Sequence, residues 1–213
     1  MPVRNPDEIN IAELRVAVFT DNGLQTPTPE TQEAVKSAAG VVSSLGAAVE
    51  DSRPGAIARA SELAGRSFGA DGGYLSRKLL TGAGTSEPSR FLSERAEGPP
   101  ENGMSVEEYA ALMHDVDAVR SEILGFMKNY DAIICPVAAQ PAPTHEDSEG
   151  LKYSYTQAHN LSGLPGAVVR GGTSPEGMPI GVQIVTQPWR EDVALAIAAV
   201  IEEATGGWVP PTI

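Results

Sequence analysis

The chain has 213 residues, 41% hydrophobic and 20% charged, enough for a sizeable core in one large domain or at most two small ones. Its 28 acidic against 15 basic residues give a net charge of -13, and the pI is near 4.6, which argues against a nucleic-acid partner. A single cysteine cannot close an internal disulfide, Met1 to Glu8 lacks the apolar stretch of a signal peptide, and the longest apolar run, Val193 to Ile201, is roughly half a membrane span, so the chain reads as cytoplasmic with no membrane partner.

Leu14 to Phe19 is almost wholly apolar and ends at Asp21-Asn22-Gly23, the pattern of a buried strand followed by a turn. Thr28-Pro29-Glu30 then starts a helix: a cap residue, proline at the first helical position and an acid in the first turn. Ala34/Val35, Ala38, Val41/Val42 and Leu45 recur at helical spacing, and Gly46 stands where the helix should stop. With Ala47 to Glu50 as the next strand, this is a βαβ unit. Ile57, Ala60, Leu63 and Ala64 suggest a helix that Gly65, Gly69, Gly72 and Gly73 interrupt. Tyr74 to Leu80 suggests another helical piece, and Glu97 to Gly103 is a loop.

Ser105-Val-Glu-Glu108 is a capping box. The helix it opens carries Tyr109, Leu112, Met113, Val116, Val119, Ile123, Phe126 and Met127 on one stripe, and it leads directly into Ala132 to Cys135, a buried strand stopped by Pro136. A Pro-rich loop follows to Pro143, then a polar-aromatic segment, Tyr153 to Asn160, then Leu161-Ser-Gly163-Leu-Pro165. Ala167 to Val169 and Pro179 to Val185 are apolar strands joined by a Gly/Pro turn, and a last helix from Asp192 to Thr205 directs Ala194, Leu195, Ala198 and Ile201 toward a core. Buried strands punctuated by loops rich in Gly, Pro, Asn and Tyr form the mouths of binding sites in α/β enzymes, so 131 to 185 is the candidate site region.

The titratable residues there have ordinary explanations. Cys135, at the end of an Ile-Ile-Cys-Pro run, fits a small core hydrophobe. His114 fits the helix surface and His145, beside Glu146 and Asp147, a solvated loop; His159, just before Asn160, is the one histidine with a candidate functional contact. No histidines share metal-ligand spacing, so neither a metal nor a cofactor is expected. Gly171-Gly172-Thr173-Ser174 and Gly82-Ala-Gly84-Thr85-Ser86 lack a following helix of small residues; the first falls in the hairpin between the two final strands.

Asp131…Pro136, Asn160-x-x-Gly163-x-Pro165, Gly177-Met-Pro179-Ile-Gly181-Val-Gln183 and Trp189-x-Glu191-Asp192, in this order and spacing, resemble the C-terminal part of the amidase-signature hydrolases. Gly166 and Arg170 depart from the alanine and proline usual there. The resemblance implies an α/β fold, a partial mixed sheet flanked by helices, forming a single domain over residues 1 to 213. It implies cleavage of amide C–N bonds by a serine, a second serine held through a cis peptide, and a lysine. Those residues belong to the family's N-terminal half, which this chain does not match, so the catalytic residues are expected to be absent. Substrate contacts implied by the resemblance fall on Pro136, Val137, Tyr153, Tyr155, Thr156, His159 and Asn160, with Tyr155, Thr156 and Asn160 on one surface. The expected partners are a small amide substrate and either an N-terminal amidase half or a second copy of the chain. Three alternatives stand beside this one: a non-catalytic binding or assembly module, a hydrolase using Cys135 with His159, and, within the family, a component of a tRNA-dependent amidotransferase rather than a free amidase.

Overall fold

A computed structural model describes residues 3–96, 103–144, 153–208 and 210. The strands β1 (Arg15–Val18), β2 (Ala48–Asp51), β3 (Ala132–Pro136), β4 (Gly166–Thr173) and β5 (Pro179–Thr186) form one five-stranded sheet in the order β2-β1-β3-β5-β4. β1 pairs in parallel with β2 and with β3, whereas β3–β5 and β5–β4 are antiparallel, so the sheet is mixed.

Strand alternation sends side chains to opposite faces, and here both faces are covered. On one face Val16, Ala132, Ile134, Val182 and Ile184 meet Ala34, Val35, Ala38 and Val42 of α1 (Pro29–Ser44) and Val193, Ile197 and Ile201 of α7 (Glu191–Ala204). On the other, Ala17, Ile133, Cys135 and Val185 meet Ile57, Ala60 and Leu63 of α2 (Ile57–Gly69), Leu112, Val116, Val119 and Ile123 of α5 (Val106–Met127), and Ala158 of α6 (Gln157–Ser162). β3 is buried along its whole length, which explains its unbroken apolar run. Among the described residues no helix is long and apolar enough to cross a membrane.

The local signals act as their chemistry dictates, except that Thr28, at the N-cap of α1, makes no side-chain cap hydrogen bond and meets Thr31 Oγ1 at 3.0 Å instead. Ser105 Oγ accepts the Glu108 N–H at 3.2 Å while Glu108 Oε2 accepts the Ser105 N–H at 2.8 Å, closing the capping box. Pro29 opens α1, and Gly46, with φ 98°, makes the turn into β2. Trp189 is left-handed at φ 66° just before α7, in a turn locked by the Thr186 Oγ1–Arg190 O hydrogen bond of 2.9 Å.

Several expectations need correction. Residues 54 to 96 hold the two expected helical pieces, α2 and α3 (Tyr74–Ala83), but α2 runs through Gly65 and Gly69 without interruption, and α4 (Arg90–Ala96) was not expected. The polar-aromatic segment contains α6, a helix too short to show a period. Gly171 and Gly172 lie in the β4 arm of the hairpin and not in its turn, which is closed by Ser174 N–H to Met178 O at 2.8 Å. Leu195 is 46% exposed, because the buried stripe of α7 runs through positions 193, 194, 197, 198 and 201. Tyr109 also lies outside its stripe, at 48% exposure. His145, Glu146, Asp147 and most of the loop near residue 100 lie outside the described residues.

The family departures at Gly166 and Arg170 find a physical reading. Gly166 begins β4, paired with Val185, and Arg170 stands beside a register shift in the ladder. Its guanidinium donates to Thr205 O at 2.7 Å at the end of α7, and Thr205 Oγ1 returns a hydrogen bond to Arg170 O at 3.0 Å. Gly171 makes room at this bulge: a Cβ there would clash with Val182 Cγ2, so the valine side chain or the strand would have to shift.

Gly171→Ala is therefore expected to lower stability by about 1–3 kcal/mol through overpacking. Gly40→Ala, on an α1 position where a Cβ meets nothing within 4 Å, should raise it by about 0.5–1 kcal/mol. Urea denaturation of the two variants checks both signs.

Candidate functional site

The order β2-β1-β3 means that the chain leaves β1 in one direction and returns on the other side of it. In open α/β sheets such a reversal leaves a crevice at the carboxyl ends of the strands, and ligands bind there. The loops that follow β1 and β3 meet at this end, joined by Thr28 N–H to Ala139 O at 2.8 Å. The loop after β1 is folded by its own polar side chains. Asp21 Oδ1 accepts the Gly23 N–H at 2.7 Å, and Asn22 Oδ1 accepts the N–H groups of Leu24 at 2.9 Å and Gln25 at 3.0 Å. Gly23, with φ 78°, lets the chain pass the Arg53 guanidinium, which donates to Asp21 O at 2.7 Å.

Two buried side chains tie this loop to the rest of the site. The Tyr155 hydroxyl, on a residue only 2% exposed, lies 2.7 Å from Gln25 O and 3.1 Å from Thr20 O, and accepts the Asn22 N–H at 3.4 Å. Burial pushes its pKa up to about 12, so it stays a neutral donor. Gln183 on β5 turns its amide toward the same place and donates to Pro136 O at 2.7 Å and Tyr155 O at 2.8 Å. Asn22 Nδ2 donates to Ser154 Oγ at 3.1 Å.

Beneath this knot Cys135 Sγ and His159 Nε2 are 3.9 Å apart. Burial pushes the thiol well above its ordinary range and pushes the imidazole down to about 4, so both are neutral. Transferring a proton between them would place two ions in the cluster formed by Ala17, Ile133, Ala158 and Val185. His159 Nδ1 is buried with no hydrogen-bond partner among the described residues, so nothing orients the ring as a base. The pair is a core contact, and the geometry argues against a Cys135/His159 hydrolase.

Above the knot is a pocket of about 380 Å³ lined by Leu24, Gln25, Ser61, Tyr153, Ser154 and Gln157. Gln157, the first residue of α6, accepts a short hydrogen bond from Ser61 Oγ of α2. A larger apolar groove of about 530 Å³, between the α2 C-terminus and the start of α5, holds none of the site residues expected from the sequence.

The structure separates those expected residues. Tyr153, 64% exposed, lines the pocket. Pro136 ends β3 and is buried, its carbonyl engaged by Gln183; Val137 is half-buried, near Gly181. Tyr155 and His159 point into the core. Thr156 Oγ1 turns back to Tyr153 O at 3.1 Å, and Asn160 is exposed on α6. Tyr155, Thr156 and Asn160 therefore do not share one surface. Gln25, Ser61 and Gln157 carried no sequence motif, and Asp21-Asn22-Gly23 signalled only a turn. Its position at the end of the first parallel strand was the available clue.

Tyr155→Phe removes a buried hydroxyl that serves three backbone groups and is expected to cost about 1–3 kcal/mol, whereas Asn160→Ala should stay within about 0.5 kcal/mol. Urea midpoints distinguish the two. His159 carries a second prediction. The unfolded chain binds its proton near pH 6.5 and the folded chain only near 4, so between these values the unfolded state holds more protons and stability falls as pH falls. The loss should reach about 3 kcal/mol at pH 4, and His159→Gln should remove that part of the slope between pH 6.5 and 4.5.

Comparison with known proteins agrees with this architecture. The Amidase family model matches residues 2–195. Fatty acid amide hydrolase 1 of Caenorhabditis elegans is 28% identical across 92% of this chain and 44% of its own length. A glutamyl-tRNA(Gln) amidotransferase subunit of Xanthobacter autotrophicus is 36% identical across 38% of this chain and 18% of its own. The solved structure of 6-aminohexanoate cyclic dimer hydrolase complexed with substrate superposes with TM-score 0.75 and 26% identity, over 96% of this chain and 48% of that one. The chain thus spans less than half the length of each of these relatives. A match over most of its length, in sequence and in fold, makes the chain a member of the Amidase family.

Proposed function

We propose that this chain forms the substrate-binding side of an amidase that hydrolyses carboxylic amide C–N bonds, and that the nucleophile is supplied by the complementary part of the family fold. The observation that carries this reading is the pocket at the carboxyl ends of β1 and β3, in which Tyr153 belongs to the segment matched by the family. In this role Tyr153 contacts the substrate, Pro136 and Val137 shape the wall behind it, and Thr156, His159 and Asn160 hold or flank the segment. Tyr155 acts as a positioning residue through the loop after β1. The reaction then follows the amidase-signature route. A serine hydroxyl, relieved of its proton by the second serine and the lysine, attacks the amide carbonyl. The amine leaves with that proton, and water hydrolyses the acyl ester. Against Cys135 as the nucleophile stands its enclosure with His159, both buried and both held neutral by burial.

The complementary part has surfaces to meet. β4 ends the sheet order, so its outer edge has no strand partner among the described residues, and Val168 on it is 59% exposed. α3 buries none of its side chains and leaves Tyr74, Leu75 and Leu79 exposed. We read both as places where the chain is completed, by an N-terminal amidase half or, failing that, by a second copy of itself. Relatives named as a hydrolase and as part of an amidotransferase fit such a division equally well.

The purified chain is expected to show no amide turnover. Co-expression with the N-terminal portion of an amidase relative should yield a stable complex that hydrolyses amides, with Cys135→Ala as active as the parent. Saturable turnover by the chain alone, abolished by a point change within it, would overturn this reading.

A further inference from the structure

The pocket at the strand ends belongs to a protein of net charge -13, yet among the described residues no charged side chain lines it. Several charged groups of the adjoining elements are engaged elsewhere. Asp21, Asp51 and Arg53 line a separate cleft with Phe19, Thr20 and Ser52, and Arg59 of α2 bonds Asp115 of α5 at 3.2 Å. What the pocket offers is a set of dipoles. Ser61 Oγ occupies the Gln157 Oε1 acceptor and leaves the Gln157 NH₂ group as a donor. Ser154 Oγ accepts from Asn22 Nδ2 and keeps its own O–H to donate. Gln25 Oε1 is a buried acceptor with no partner among the described residues. That acceptor is closed off from the pocket, so what the lining offers a ligand is two donors, which complement the C=O of a carboxamide. Tyr153 and Leu24, 64% and 44% exposed, add a flat wall and an apolar one.

Resting on the function proposed above, we infer that this pocket selects neutral amides and rejects amides of amino acids: the portion of substrate it takes carries a carboxamide and an apolar or flat body, without an ionised ammonium or carboxylate. An ion entering it would exchange hydration for neutral dipoles, with no counter-charge among the described lining residues to offset the loss. A neutral amide gives up far less and gains matched hydrogen bonds. Selectivity therefore comes from the missing charge as much as from the contacts made. This separates a hydrolase of simple amides from an enzyme that works on amino-acid amides.

The test uses the purified chain and two-dimensional NMR of its backbone and side-chain amides, titrated with pentanamide, with L-glutamine and with 5-aminopentanamide. These probes share a carboxamide chain and differ in charge. Pentanamide is expected to shift Gln25, Gln157 and Tyr153 and to bind at least about 10-fold more tightly than either charged probe. Gln157→Glu, which keeps the acceptor for Ser61 Oγ and adds one negative charge, should strengthen 5-aminopentanamide by about 5-fold or more while the spectrum stays that of the folded chain. Glutamine binding at these residues as tightly as pentanamide would overturn the neutral selectivity and leave the pocket as the site. So would a Gln157→Glu chain that gains nothing for the cationic probe. If no probe shifts these residues, the site assignment itself falls, and the selectivity with it.

Discussion

The side-chain amide of Gln183 is the constraint on which the site end of the molecule depends. It sits on β5 in the interior, where an unpaired amide would be costly, and its two hydrogens reach Pro136 O and Tyr155 O. One side chain thus fixes the end of β3 and the start of the segment that becomes α6. Tyr155, placed by that contact, carries the constraint on through its hydroxyl to Thr20, Asn22 and Gln25 in the loop after β1. Segments about 130 residues apart in sequence are held in register by hydrogen bonds that only a water-free interior makes strong.

The sheet makes such a knot possible. Because both faces are covered, by α1 and α7 on one side and by α2, α5 and α6 on the other, the strands cannot slip by a residue without exchanging their two apolar sets. The register Ile134↔Ile184 and Cys135↔Gln183 is then enforced by packing, and Gln183 faces Pro136 and Tyr155 because its neighbours Val182 and Ile184 must face α1 and α7. The core determines where the amide points, and the amide determines where the loops lie.

Legibility in the sequence followed the range of the interaction. β1, α1 and β2, the Ser105–Glu108 cap and the apolar run of β3 are written in neighbouring residues, and the motifs around Asn160, Gly163 and Gln183 identified the family. α6 was lost in the polar-aromatic segment because six residues cannot display a helical period. Leu195 was placed in the core because leucine suggested burial, although the stripe through Ala194, Ile197 and Ile201 leaves it outside. Tyr155 illustrates the harder limit. A tyrosine beside a candidate site reads as a substrate contact, and only the meeting of its hydroxyl with the far loop shows that it holds the backbone. The pocket assembles Gln25, Ser61 and Gln157 from three separate elements, and no local pattern encodes that meeting.

Burial also determines the electrical character of this end of the molecule. Cys135 remains a thiol, His159 an imidazole and Tyr155 a phenol, each held in its uncharged form chiefly by desolvation. Among the described residues the acidic groups are half-buried or exposed, apart from Asp192, which is buried against Arg190, and the loops above these neutral side chains are shaped by backbone and amide hydrogen bonds together with the Asp21 carboxylate and the Arg53 guanidinium. On the selectivity proposed above, recognition at such a place rests on oriented dipoles, which are weak singly and depend on being fixed before the ligand arrives. The Gln183–Tyr155 knot supplies that fixing. It ties the rigidity of the interior to the loops that line the pocket, so on that proposal a change deep in the core at either residue acts on binding through the loops it no longer holds.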